Sequence, residues 1–384
     1  LNTMAEDAAL LSVVLSCLEK FSGASSARDN RAIRLQSLAL KEYSDLLIDV
    51  MSDANGTLSD LRNVIEGTGY GGIVIEPDSS RAFRERVLNT GFTPDEVQLM
   101  IDAHAAEAEA SGARIVHSCG VDSIPSDLGV LFTQQQAIEA FGTHCNRIRM
   151  RVKAFKGGFS GGTVATMMNI MDELSSDPGL RRVLGNTYAI APEGQRTGVR
   201  QPNVTTPVRD DATGHWLAPF VMSAINTRVV HRTNALLGHP WGGDFLYDEA
   251  SMMGRGPAGL ARASAMSAGL AGFIGAASVG PARSLLHRVL PDPGTGPTPE
   301  EQEGGFFDVR FFGTTDDGRS ISTKVTGDRD PGYGSTAKML GEAAWALLSL
   351  ERVGGGFWTP ATAFGDSLIE PLEAHAGLTF EVQD

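Results

Sequence analysis

The stretch His117 to Gly129, HSCGVDSIPSDLG, gathers a thiol, two carboxylates and several serine hydroxyls. A short apolar run ending at Ile115 and Val116 precedes it, Gly120 breaks it, and Pro125 sits where a helix restarts. Strand, glycine turn and helix in that order make the place where α/β proteins seat ligands, beyond the carboxyl ends of their strands. Asp122 and Asp127 have the chemistry of a general base and its partner. Asp127 also suits the first turn of a helix, where the dipole favours a carboxylate. Cys119 lacks the histidine arrangement that a nucleophilic thiol needs and suits a small buried side chain.

Two more glycine turns lead into helices, GGFSGGTVA and DPGYGSTAK. The first turn of a helix offers unpaired N–H groups at the positive end of the dipole, so anionic groups bind there. Each turn also has a plain structural reading, as a well-made helix start. Gly161 and Gly162 let backbone approach a ligand closely, and Ser160 and Thr163 supply hydroxyls. Lys338 falls in the first turn of its helix, where a cation is misplaced, and an anionic ligand would explain it. Tyr333 has the chemistry of a proton donor or a stacking platform. Arg228 and Arg232, in NTRVVHRTNAL, either grip a phosphate or carboxylate or lie on a solvated face.

The elements that must position these groups can be read from periodicity. TPDEVQLMIDAHAAEAEASGA opens with a capping box at Thr93, Pro94 and Glu96 and closes at Gly112. It feeds the strand RIVHSCG, giving an α/β unit. NRIRMRVKAF alternates as a half-buried strand, and FFDVRFFGTTDDGRSISTKVTG reads as a hairpin turning at Asp317-Gly318. Residues 1–66 read as helices, and 175–250, rich in Pro, Gly and Asn, as loops between elements. From Ala263 to Ala282 no ionisable residue appears. That stretch reads as a buried core helix, a lipid-facing element or, least of all, a bilayer span. Its glycines weaken it in isolation, so the core, an acyl chain, a second subunit or a membrane surface must cover it.

With 384 residues the chain is long enough for two or three domains, and 42% hydrophobic with 20% charged residues is a globular composition. A net charge of −14 argues against nucleic-acid binding. Three cysteines without CxxC spacing and eight histidines without a ligand pair suggest no disulfide framework and no metal. No basic region followed by an apolar core opens the chain, so a cytoplasmic protein, at most peripheral to the membrane, is expected.

GARIVHSCGVDSIPSDLGV, KGGFSGGTVATMM, APFVMSAINTRVVHRTNALLG, VTGDRDPGYGSTAKMLGEAA and GGGFWTPATAFGDSLIEPLE together resemble the saccharopine dehydrogenase-like oxidoreductases, nearest to the trans-acting enoyl reductase branch. The resemblance spans residues 95 to 384. It implies an α/β and α+β fold, with the end of a Rossmann-like unit over 93–142 and an α+β substrate domain with an open sheet over 143–384; the periodicity, not the resemblance, makes residues 1–92 a mainly helical segment. It further implies nicotinamide-dependent reduction of a carbon–carbon double bond in an acyl or polyketide lipid, with NADP or NAD as cofactor. The three glycine turns would then line one cleft. Cys119, Gly120 and Ser123 would face the cofactor, Ser160, Gly161, Gly162, Thr163 and Arg228 the substrate, and Tyr333, Lys338 and Asp122 would carry proton chemistry. One departure from the family pattern is plain. No strand followed by a GxxGxxG-type turn opens the chain, and GTGYGG at 67–72 has helix and strand in reversed order. The rival expectation is a non-enzymatic lipid- or partner-binding protein that lost its nucleotide domain.

Overall fold

A computed structural model describes residues 94–121, 123–157, 185–277, 297–348, 350 and 352–383. The helical expectation for residues 1–92, the Thr93 cap, Asp122 and the whole Ser160–Thr163 turn lie outside the described residues.

The described chain is mixed α/β. Helix α1 (Pro94–Ser111) packs beside a two-stranded parallel pair, β1 (Arg114–Val116) and β8 (Gly356–Trp358). Ile115 pairs with Phe357 in that register, and both bury against Met100 and Ala108 of α1. Helix α2 (Ile124–Phe141) follows the first glycine turn.

A separate sheet of seven strands runs in the order β3 (Val208–Arg209), β4 (Trp216–Pro219), β5 (Leu246–Met252), β2 (Arg147–Lys156), β6 (Phe306–Thr314), β7 (Ser320–Gly327), β9 (Leu378–Gln383). Only β2 and β5 pair in parallel; the other neighbours are antiparallel. The hairpin of β6 and β7 alternates buried and half-buried residues, as its sequence period of two requires. Phe307, Val309, Phe311 and Val325 point into the core with Ile148 and Met150 of β2. Helices α2, α3 (Ser223–Leu236) and α6 (Gly334–Leu348) pack over this sheet with the short helix α7 (Pro360–Phe364).

Two sequence expectations need correction. Residues 175–250 are not mere loops, because they contain β3, β4, α3 and most of β5. Helix α3 was hidden because it is buried largely through polar side chains, Asn226, Thr227, Arg228, His231, Arg232, Thr233 and Asn234 among them, so no apolar stripe marks it. The charge-free stretch, as far as it is described, belongs to a helix, α4 (Gly256–Ala277), but not to a core helix: only Gly259, Ala263 and Ala277 are buried.

Asp127, in the first turn of α2, joins three of these elements. It is fully buried; one carboxyl oxygen accepts from Thr233 Oγ1 of α3 at 2.5 Å and the other from the Ala361 backbone N–H of α7 at 2.8 Å. Burial raises its pKa to about 7, against the lowering effect of those hydrogen bonds. The folded chain therefore holds this proton more tightly than the unfolded chain, and the associated stability is full at low pH and lost as pH rises from about 4 to 7. Relative to the unsubstituted protein, Asp127→Asn should gain stability as pH is raised through that window in urea denaturation. At pH 4–5, Asp127→Ala should cost about 2–4 kcal/mol by orphaning both donors. A difference between Asp127→Asn and the unsubstituted chain that stays flat with pH would exclude the raised pKa of this carboxyl.

Candidate functional site

The parallel pair ends where chemistry was expected. The His117 backbone N–H still donates to Trp358 O at 3.2 Å, extending the ladder by one residue. Ser118 then turns away with φ +64°, a left-handed conformation that non-glycine residues rarely adopt. Its hydroxyl lies 3.1 Å from His117 Nδ1, and the turn closes with the Ile124 N–H donating to Gly120 O at 2.9 Å.

This turn is stapled to the third glycine turn, 215 residues away in sequence: the Val121 N–H donates to Thr336 Oγ1 at 3.0 Å. Thr336 in turn donates to Pro331 O, and Asp330 accepts from the Tyr333 N–H at 2.8 Å. Gly157, at the exit of β2 and just before the second glycine turn, touches the same place. A Cβ there would collide with the Asp330 carboxylate and Pro331. The structure thus brings the first and third turns together and leads the chain toward the second, whose own residues lie outside those described.

A buried polar chain supports the first turn from below. Ser123 Oγ donates to Asn226 Oδ1 (3.1 Å), Asn226 Nδ2 donates to Glu249 Oε2 (3.0 Å), and Tyr247 OH donates to Glu249 Oε1 (2.7 Å). Burial is the main cause that raises the Glu249 pKa to about 7, against hydrogen bonds from Tyr247, Ser126 and Asn226. Glu249 and its partners were missed because β5 was read as loop. The signal was present: an Asp248-Glu249 pair set inside the apolar run FLYDEASMM.

The electrostatics of the strand ends are asymmetric. Arg232 is buried, and its guanidinium donates to Ile190 O and to Phe357 O. No carboxylate among the described residues pairs with it. Burial lowers its pKa to about 10, so it stays a cation. Burial, and then the Arg232 charge, hold the His117 imidazole near 3, so the ring is neutral, and its Nε2 has no hydrogen-bond partner. A fixed positive charge beside a neutral imidazole favours negative charge developing nearby.

The other expected site residues fall as follows. Cys119 is buried, and burial pushes its thiol well above the ordinary range, which suits the inert reading. Arg228 and Arg232 are both buried, which excludes the solvated-face reading for this pair. Arg228 donates to Ala224 O in its own helix. Tyr333 is buried in the third turn. Lys338 is the fifth residue of α6, not in its first turn, and Asp328 stands 3.3 Å from its ammonium. That carboxylate removes the need for an outside anion to explain it.

No family model matches the chain. Curated relatives do. A Mycobacterium tuberculosis protein, provisionally named a trans-acting enoyl reductase, is 37% identical over 298 residues, which cover 73% of this chain and 70% of the relative. The trans-acting enoyl reductases of Mycobacterium bovis and Mycobacterium ulcerans are each 34% identical over 285 residues, covering 71% of this chain and 68% of theirs. The chain belongs to the trans-acting enoyl reductase family. An enoyl reductase saturates a carbon–carbon double bond conjugated with a carbonyl, so the family is one of oxidoreductases. In this chain the first and third turns are held as a unit by Thr336. Thr336→Val should leave the Val121 N–H unpaired, cost about 1–2 kcal/mol in urea denaturation and accelerate amide exchange at Val121. Unchanged exchange there would show that the two turns merely lie side by side.

Proposed function

We propose that this protein reduces the double bond of an α,β-unsaturated acyl or polyketide lipid at the junction of its glycine turns, with NADPH or NADH as reductant. The observation that carries the reading is the Val121–Thr336 staple at the carboxyl end of a parallel strand pair, in a chain related over most of its length to enoyl reductases. On this reading β1 and β8 are the edge of a Rossmann-type unit and the seven-stranded sheet is the open sheet of a substrate domain.

The described residues fit the nicotinamide end of such a cofactor. Cys119, Gly120 and Ser123 form a turn into the N-terminus of α2, and the buried His117 Nε2 is an unpartnered ring nitrogen at the strand end. When bound, the nicotinamide supplies the hydride. The chain's own residues hold the substrate, exclude water and deliver the proton. Hydride reaching the β-carbon leaves negative charge on the carbonyl oxygen, which the uncompensated Arg232 cation favours. Tyr333 then gives a proton to the α-carbon, completing addition of two hydrogens across the bond. Asp122 and Lys338 serve proton supply, Lys338 from its pair with Asp328. Arg228 and the Ser160–Thr163 turn bind the acyl carbonyl side.

The test has two arms. NADPH or NADH should raise the melting temperature of the full chain, as any ligand of the native state does. Reduced cofactor should be consumed when a long-chain enoyl thioester is added. Tyr333→Phe should retain the thermal shift while kcat falls by about 100-fold or more. No shift with either cofactor, together with retained binding of long acyl chains, would favour the non-enzymatic lipid-binding reading. Full activity of Tyr333→Phe would move proton delivery elsewhere.

A further inference from the structure

Helix α4 leaves the edge of the sheet, and beyond its first turns most of its surface is exposed. Its first turns are seated: a Cβ on Gly259 would collide with the Gly254 carbonyl and lie 3.2 Å from Trp216 Cδ1 of β4, and Ala263 is fully buried. From Ser264 to Ala276 every residue is exposed or half-buried. Met266, Leu270, Phe273 and Ile274 follow i, i+4, i+7, i+8 spacing and so share one face, with Met266 49% exposed. The opposite side carries Gly, Ala and Ser, and no charge interrupts Ala263–Ala277.

Charge says what covers this face. Between Glu249 and Asp292 the sequence has no acid and four arginines, Arg255, Arg262, Arg283 and Arg288, in a chain whose net charge is −14. Arg255 donates to Thr213 O and Arg262 to Ala258 O, and among the described residues neither meets a carboxylate. A second copy docking by two-fold symmetry would set these arginines against each other. An anionic surface would pair them, while the rest of the molecule would be repelled from it. Helix α4 has 22 residues, long and apolar enough by length and composition to cross a membrane, but Arg262 lies within it, seven residues from its start.

We propose that α4 lies in the interface of an anionic lipid bilayer, its Met266–Phe273 face inserted and Arg255 and Arg262 at its N-terminal end on the lipid headgroups. The proposal goes beyond the reductase reading, since docking needs neither cofactor nor turnover. Flotation of the full chain with vesicles of phosphatidylglycerol and phosphatidylcholine in a one-to-three ratio tests it, with pure phosphatidylcholine as the comparison. Binding should be about tenfold stronger to the anionic vesicles and should weaken with added salt. The double variant Leu270→Asp, Phe273→Asp should lose it at an unchanged melting temperature. Arg262→Glu, on the exposed side of the helix, provides an independent check and should also weaken it. Equal binding to both vesicle types, or binding to neither, would overturn the proposal. So would a dimer in sedimentation analysis that the Leu270/Phe273 variant dissociates, because a second copy would then own the face. Loss of reductase activity, or its absence, leaves every one of these outcomes readable.

Discussion

A carboxylate buried without a cation is the constraint on which the rest of this structure leans. Asp127 starts α2 immediately after the first glycine turn, and it is held by α3 on one oxygen and by α7 on the other. Charged, it would carry a desolvation cost that its neutral partners only partly offset. Protonated, it becomes a donor beside the hydroxyls of Thr233 and Thr359, whose oxygens hydrogen-bond each other at 2.5 Å. Either way the start of α2 cannot drift, and the turn that precedes it is fixed relative to the ends of β1 and β8. Neutral partners and a raised pKa are two aspects of the same placement.

The neighbouring acids on β5 show how strand alternation sorts chemistry. Asp248 and Glu249 point to opposite faces of the sheet. Asp248 meets Arg151 at 2.7 Å and Arg147 at 3.6 Å, in a buried ion cluster completed by Asp210. Glu249 meets only a phenol, an amide and a hydroxyl. One acid thus anchors the outer layer through guanidinium groups. The other sits under the first glycine turn in a chain of neutral donors that ends at Ser123. Breaking either leaves buried polar groups unpaired, so both networks specify the register of β5 against β2.

Where the sequence carried periodicity, the fold could be read from it. The β6–β7 hairpin, the β2 strand, α1, α2 and α6 all show a period of two or a recognisable start and stop, and the structure has them. Helix α3 has neither, because its buried face is polar; its partners are Asp127, Glu249 and backbone carbonyls from distant segments, which no local pattern announces. The site was legible to the same extent. The first and third turns were visible as glycine-to-helix junctions, but the staple between them spans 215 residues and rests on Thr336, an ordinary threonine in sequence. Glu249 was invisible for the reason α3 was. The charge-free helix failed in the opposite sense: lack of charge was legible, but it suits equally a core and a lipid surface, and burial alone separates them.

That helix is tied closely to the candidate site. β5 carries Glu249, ends at Met252, and passes through Met253 to Arg255 into α4. The Met253 N–H donates to Trp216 O and the Trp216 N–H donates to Gly254 O, so the connector is pinned to β4 by two hydrogen bonds. A connection this short and this well bonded transmits orientation: whatever surface fixes α4 also fixes the strand beneath the first glycine turn. For a long-chain acyl substrate, which partitions out of water, such a coupling places the reacting end of the lipid and the buried acids of the site on one rigid frame. The polar core and the apolar helix then serve the same problem from two sides. One holds a turn steady among groups that resist burial, and the other gives that frame a surface from which an insoluble substrate can arrive.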